Sequence, residues 1–186
     1  DALHLALRAM GRIEEAAASY KRAVAFKPGL YQAHNNLGHV LRELKRLPEA
    51  LASFDQALAV KPDHVEAINN RGLVLHELRR LGEALASFER AIALEPGRAD
   101  AVNNRGLLFQ ELGRADEAIA SYDQAIALRP DHADAWSNRG GVLAQARRID
   151  EAVASCDRAI ALDPADQGAL DTRGIALHQG GRVAEA

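Results

Sequence analysis

Five prolines, Pro28, Pro62, Pro96, Pro130 and Pro164, follow one another at intervals of 34 residues without a slip. A fixed period of that length marks one supersecondary unit repeated along an array. No repeat carries an insertion, so function is to be sought on a surface assembled from repeats, not in one elaborated loop.

The segment Tyr31–His64 shows the grammar of one unit. Ala33, Leu37, Gly38, Leu41 and Leu44 fall at helical spacing, and a turn is expected at Lys45-Arg46-Leu47. Pro48 opens a second helix, where its missing N–H is no loss, and Glu49 places a negative charge in the first turn. Ala50, Leu51, Phe54, Ala57, Leu58 and Val60 form the second apolar face, and Pro62 ends the unit. Asp63 can cap the following helix, and with Glu66 three residues later the pattern resembles a capping box. The same grammar runs through residues 31–64, 65–98, 99–132 and 133–166, flanked by partial units at 1–30 and 167–186. The expectation is a single domain at 1–186 with eleven helices and a stub.

The recurring columns predict the packing. Gly38, Gly72, Gly106, Gly140 and Gly174 sit in helix interiors, where glycine is unfavourable by about 1 kcal/mol. Close approach of a partner helix offsets that cost. Ala50, Ala84, Ala118 and Ala152, with Ala57, Ala91, Ala125 and Ala159, are the small counterparts. Phe54, Phe88, Tyr122 and Cys156 form a larger column, which puts the lone cysteine in an inert core slot.

These residues resemble the tetratricopeptide repeat, a helix–turn–helix unit of this period. The likeness is carried by Trp136-x-x-Arg139-Gly140-x-x-Leu143, Ala152-x-x-x-Cys156 and Pro164, and again by His34-x-x-Leu37-Gly38-x-x-Leu41, Ala50-x-x-x-Phe54 and Pro62. It covers the whole chain. The resemblance implies an all-α fold, a right-handed superhelical solenoid of antiparallel helix pairs whose first helices line a concave, ligand-binding face. The departures are Arg71, Arg105, Arg139 and Arg173 before the glycine, where the family has leucine. Their stems are expected along the neighbouring helix with their heads in water.

On the concave face so implied stand two asparagine columns: Asn35, Asn69 and Asn103, and beside them Asn36, Asn70, Asn104 and Asn138. Successive helical residues are about 100° apart, so the two cannot face a ligand equally; the second is favoured as a ladder. A carboxamide offers both donor and acceptor, as a peptide backbone does. The columns resemble the asparagine-lined superhelix of the O-linked N-acetylglucosamine transferases and of bacterial relatives. The competing reading is that they are solvated, or bond to neighbouring repeats. Asparagines stand where a two-carboxylate clamp of the co-chaperone type would need lysine, which argues against that clamp.

Other chemistries find little support. The net charge is −3, and all four lysines, Lys21, Lys27, Lys45 and Lys61, lie in the first third, so no basic stripe suits nucleic acid. His34 and His39 are five apart, off metal-ligand spacing on a helix, and the Glu15, Glu49, Glu83, Glu117, Glu151 and Glu185 series recurs once per repeat as a helix-start feature. Asp55, Glu89, Asp123 and Asp157 read as a solvated face. No catalytic residues, metal or cofactor are assigned. The expected function is a non-enzymatic scaffold for a protein or peptide partner, without nucleic acid or membrane insertion, in the cytoplasm. Two alternatives are a substrate-recruiting arm of a larger glycosyltransferase resembling the O-linked N-acetylglucosamine transferases, and end-to-end association of copies through uncapped terminal repeats, with Leu170, Ile175 and Leu177 partly uncovered.

Overall fold

The structure is a computed structural model that describes residues 11–182. Those residues form ten α-helices and no strand: α1 (Ile13–Phe26), α2 (Tyr31–Glu43), α3 (Leu47–Val60), α4 (Val65–Glu77), α5 (Leu81–Leu94), α6 (Ala99–Glu111), α7 (Ala115–Leu128), α8 (Ala133–Gln145), α9 (Ile149–Leu162) and α10 (Gln167–Gln179). The eleventh helix and the terminal stub expected from the sequence lie outside the described residues. No described helix is long and apolar enough to cross a membrane.

Each turn has a local cause. Between α2 and α3, Lys45 adopts φ 59°, while the Arg46 N–H donates to Leu41 O (2.8 Å) and the Lys45 N–H to Arg42 O (2.9 Å). This is a Schellman closure with a left-handed residue after the cap. It recurs at Arg79, Gly113, Arg147 and Gly181, so glycine fills the left-handed slot at some turns and a long cation fills it at others. The prolines occupy the other connection: Lys61 O accepts from the His64 N–H (3.2 Å) with Pro62 between, a β-turn suited to proline's fixed φ.

The helix starts differ from expectation. His64, not Asp63, caps α4, its Nδ1 accepting from the Ala67 N–H at 3.1 Å. Glu66 does not complete a capping box; it takes a bond from Asn35. At α3 the cap residue is Arg46, whose guanidinium grips Glu49 through two bonds of 2.6 Å. Arg12–Glu15, Arg80–Glu83, Arg114–Glu117 and Arg148–Glu151 repeat the clip. The periodic glutamates therefore hold a neighbouring arginine as well as facing the helix start.

The chain falls into two compact units, Asp1–Glu95 and Pro96–Ala186. In the first, α1 through α5 pack consecutively and α2 also meets α4; in the second, α6 through α10 do so, and α8 meets both α6 and α10. First helices thus stand beside first helices within each unit.

The core is the glycine column filled from the second helix. A Cβ built on Gly38 would lie 2.8 Å from the Phe54 ring, on Gly72 2.6 Å from Phe88, on Gly106 2.6 Å from Tyr122, and on Gly140 2.6 Å from Cys156 Sγ. The large column, rather than the alanines alone, is what requires glycine. Both alanine columns are fully buried beside it. Gly174 meets nothing within 4 Å. On the same helix Leu170 and Ile175 are exposed, while Leu177 is fully buried, contrary to expectation.

Candidate functional site

The arginines before the glycines do not simply leave their heads in water. Arg71 Nε donates to Asp55 (2.7 Å) and its Nη1 to Ser87 Oγ (3.0 Å). Arg139 does the same to Asp123 and Ser155, both at 2.6 Å, and Arg173 reaches Asp157 at 2.6 Å. Arg105 reaches Ser121 (3.2 Å) and Gln124 (3.0 Å). Each serine in turn donates to the glutamate carbonyl four residues earlier. Asp55, Asp123 and Asp157 are thus anchors of an arginine latch, not a merely solvated face. The signal was present in the sequence as an acid sixteen residues before each of Arg71, Arg139 and Arg173 and a serine sixteen after Arg71, Arg105 and Arg139.

The asparagine columns separate by burial. Asn35, Asn69 and Asn103 are buried; Asn36, Asn70, Asn104 and Asn138 are half-buried. Within each unit the structure ties the columns to the next repeat. In the first, Asn35 Nδ2 donates to Glu66 Oε1 at 3.2 Å and its Oδ1 is buried without a hydrogen-bond partner. In the second, Asn138 Nδ2 donates to Asn103 Oδ1 at 3.2 Å. Asn36 is hydrogen-bonded to Tyr20, whose phenol burial nonetheless holds above its ordinary pKa. Asn104 is also engaged, and Asn70 has no hydrogen bond among the described residues. Bonding to neighbouring repeats therefore accounts for Asn35, Asn103 and Asn138, and Asn70 is the uncommitted rung.

Further along the first helices the units diverge. Beside α2 and α4 a cavity of about 430 Å³ is lined by Ile13, His39, Arg42, Glu43, Lys45 and Glu77. Arg42 Nε donates to Glu77 Oε1 at 2.5 Å and Lys45 Nζ donates to Glu77 Oε2 at 3.2 Å, while His39 stands 3.6 Å from Glu43. Burial works to raise the Glu77 carboxyl, but the bonds from Arg42 and Lys45 outweigh it, and its pKa lies below the usual carboxylate value. His76 is held below its ordinary pKa by burial and by Arg79. In the second unit a slot of about 150 Å³ between α8 and α10 is lined by Gly141, Ala144, Gln145, Thr172, Ile175 and Gln179, with no ionisable side chain.

Two further groups were candidates for chemistry. Burial pushes the Cys156 thiol up to about 11, the opposite of what a nucleophile needs. His132 is buried at the end of a turn, 3.5 Å from Asp100, whose carboxylate is also bonded by Arg129 at 2.5 Å. Burial and Arg129 depress the His132 pKa.

Family models described as tetratricopeptide repeat match residues 37–103 and 103–167, and one described as TPR repeat matches residues 5–44. No curated protein matches the chain. Among solved structures, YrrB, described as a TPR protein with an unusual peptide-binding site, is 26% identical with a TM-score of 0.70, covering 90% of this chain and 86% of its own. A thermophilic TPR protein of Thermus thermophilus is 26% identical with a TM-score of 0.76, covering 95% of each chain. PilW, a type IV pilus biogenesis factor, superposes with a TM-score of 0.86 at 24% identity over 98% of this chain and 86% of its own, a likeness of fold alone. These findings carry no support for the narrower likeness to O-linked N-acetylglucosamine transferases. The repeat models run from residue 5 to residue 167 between them, over the glycine and alanine columns that build the core and the proline turns that join the helix pairs: the chain belongs to the tetratricopeptide repeat family.

Proposed function

We propose that the protein is a non-catalytic scaffold whose first helices form a groove for an extended peptide or partner segment. The observation that carries this reading is the half-buried carboxamide column Asn36, Asn70, Asn104 and Asn138, one rung per repeat, with Asn70 uncommitted. Peptide main chain presents a donor and an acceptor at each residue, and a carboxamide answers both. Such a ladder holds a backbone with little regard for its side chains, while the residues around it set preference. The buried asparagines Asn35, Asn69 and Asn103 support the rungs by fixing where the next repeat stands. YrrB, similar in fold, is itself described as having a peptide-binding site.

The test is binding of the full chain to an array of extended nonapeptides, compared with the variant Asn70→Ala/Asn104→Ala/Asn138→Ala. Retained helical circular dichroism with weakened capture across many sequences is expected, and Asn70→Ala alone should show the largest single loss relative to its effect on stability. Equal capture by wild type and the triple variant removes the ladder.

A further inference from the structure

We infer that the second unit, in the slot between α8 and α10, takes one neutral aliphatic side chain of a bound peptide; this rests on the peptide-binding reading above. Gly141 and Ala144 from α8 and Ile175 from α10 give the slot a carbon surface. Ile175 is 55% exposed, a large hydrophobe held at the surface on a well-formed helix. A Cβ on Gly141 would meet nothing within 4 Å, so the floor is open. The volume of about 150 Å³ matches the apolar cavity size known to accept a benzene-sized group. A leucine, isoleucine or valine side chain fits that space.

The charge pattern argues for the same occupant. No lining residue is ionisable, so a carboxylate or ammonium placed there would surrender hydration without a counter-charge. Gln145 and Gln179 flank the carbon surface, are exposed, and make no hydrogen bond among the described residues. Their carboxamides, with the Thr172 hydroxyl, supply donors and acceptors to the backbone on either side of the anchored residue. At the positions of Gly141, Ala144 and Gln145 the first full repeat carries His39, Arg42 and Glu43, so the neutral slot is a property of the second unit and not of the repeat in general.

The probes are acetylated, amidated pentapeptides Ala-Ala-X-Ala-Ala with X leucine, lysine or aspartate, titrated into the full chain carrying labelled isoleucine methyls and asparagine and glutamine side-chain amides. The leucine peptide should shift the Ile175 methyl saturably, with the lysine and aspartate peptides about tenfold weaker or more, the discrimination an apolar contact of this size gives. Ile175→Glu should abolish that preference, and Ile175→Val, which keeps the surface apolar, should retain it. Equal binding of all three peptides, or a leucine peptide that moves Ile126 on the second-helix side and leaves Ile175 unmoved, overturns the inference. Response at the Asn70 amide without response at Ile175 overturns the inference alone; no response at either overturns it together with the peptide-binding reading.

Discussion

The first helices of the two units are built on one backbone plan and carry opposite chemistry. In the first unit the surface beside α2 and α4 is ionic: Arg42 and Lys45 converge on Glu77, and His39 faces Glu43. In the second, the same positions along α8 and α10 are Gly141, Ala144 and Gln145, with Thr172, Ile175 and Gln179 opposite. The glycine sockets, arginine latches and proline turns hardly differ between the units. The repeat thus separates two jobs. One set of columns fixes how helices meet and is indifferent to what binds; another is free to vary and sets what binds.

The largest effects should come from the shared columns and be alike in both units. Gly72→Leu and Gly106→Leu each force a side chain into an aromatic ring 2.6 Å from the new Cβ, and overpacking of this kind costs roughly 1–3 kcal/mol or more. Gly174→Leu, in open space, should cost little. Thermal unfolding of the three variants checks this; an unchanged midpoint in Gly106→Leu breaks the packing scheme.

A smaller effect tests the turns. Lys45, Arg79 and Arg147 occupy left-handed backbone that Gly113 fills elsewhere. Replacing each by glycine should stabilise by about 0.5–1 kcal/mol, since the strain relieved exceeds the added chain entropy. Loss of stability in all three would show that their side chains contribute more than their φ angles cost.

Smaller still are the pH effects, which divide by unit. His76 and His132 both have depressed folded pKa values, from burial first and a nearby arginine second. The unfolded chain then binds the extra proton, so their contribution is complete above the ordinary histidine value of 6.5 and drains as pH falls below it. His132→Gln should flatten part of that decline between pH 8 and pH 5 in urea titrations, and His76→Gln another part; identical slopes in all three proteins would contradict the assignment. Glu77, with a depressed carboxyl, contributes above its unfolded value and loses that contribution as pH falls through the folded one. Glu77→Gln should remove only this most acidic, salt-sensitive component, the smallest of the four changes.

The sequence carried the backbone plan because glycine, alanine and proline act through sterics that reveal themselves in a period. It did not reveal that His64 would outcompete Asp63 as a cap, since that depends on which ring nitrogen reaches the Ala67 N–H. It also hid the arginine latch: Arg71 meets Asp55 and Ser87 only once separate helices are packed, so an acid that looks solvated along its own helix is engaged from the next one. The two asparagine columns were visible, but their unequal roles were not. Glu66 is long enough to take Asn35 Nδ2, whereas at the same position two repeats on Asp134, a methylene shorter, makes no such bond and Asn103 pairs with Asn138.

Where a bound peptide lands on the helix pairs is the most direct test of this division. Backbone amide shifts of the labelled chain, recorded with saturating Ala-Ala-Leu-Ala-Ala, should change on the first helices, most strongly on α8 and α10 around Ile175. Shifts concentrated on α3, α5, α7 and α9 would place recognition on the other side of each helix pair and contradict the division of labour between the columns.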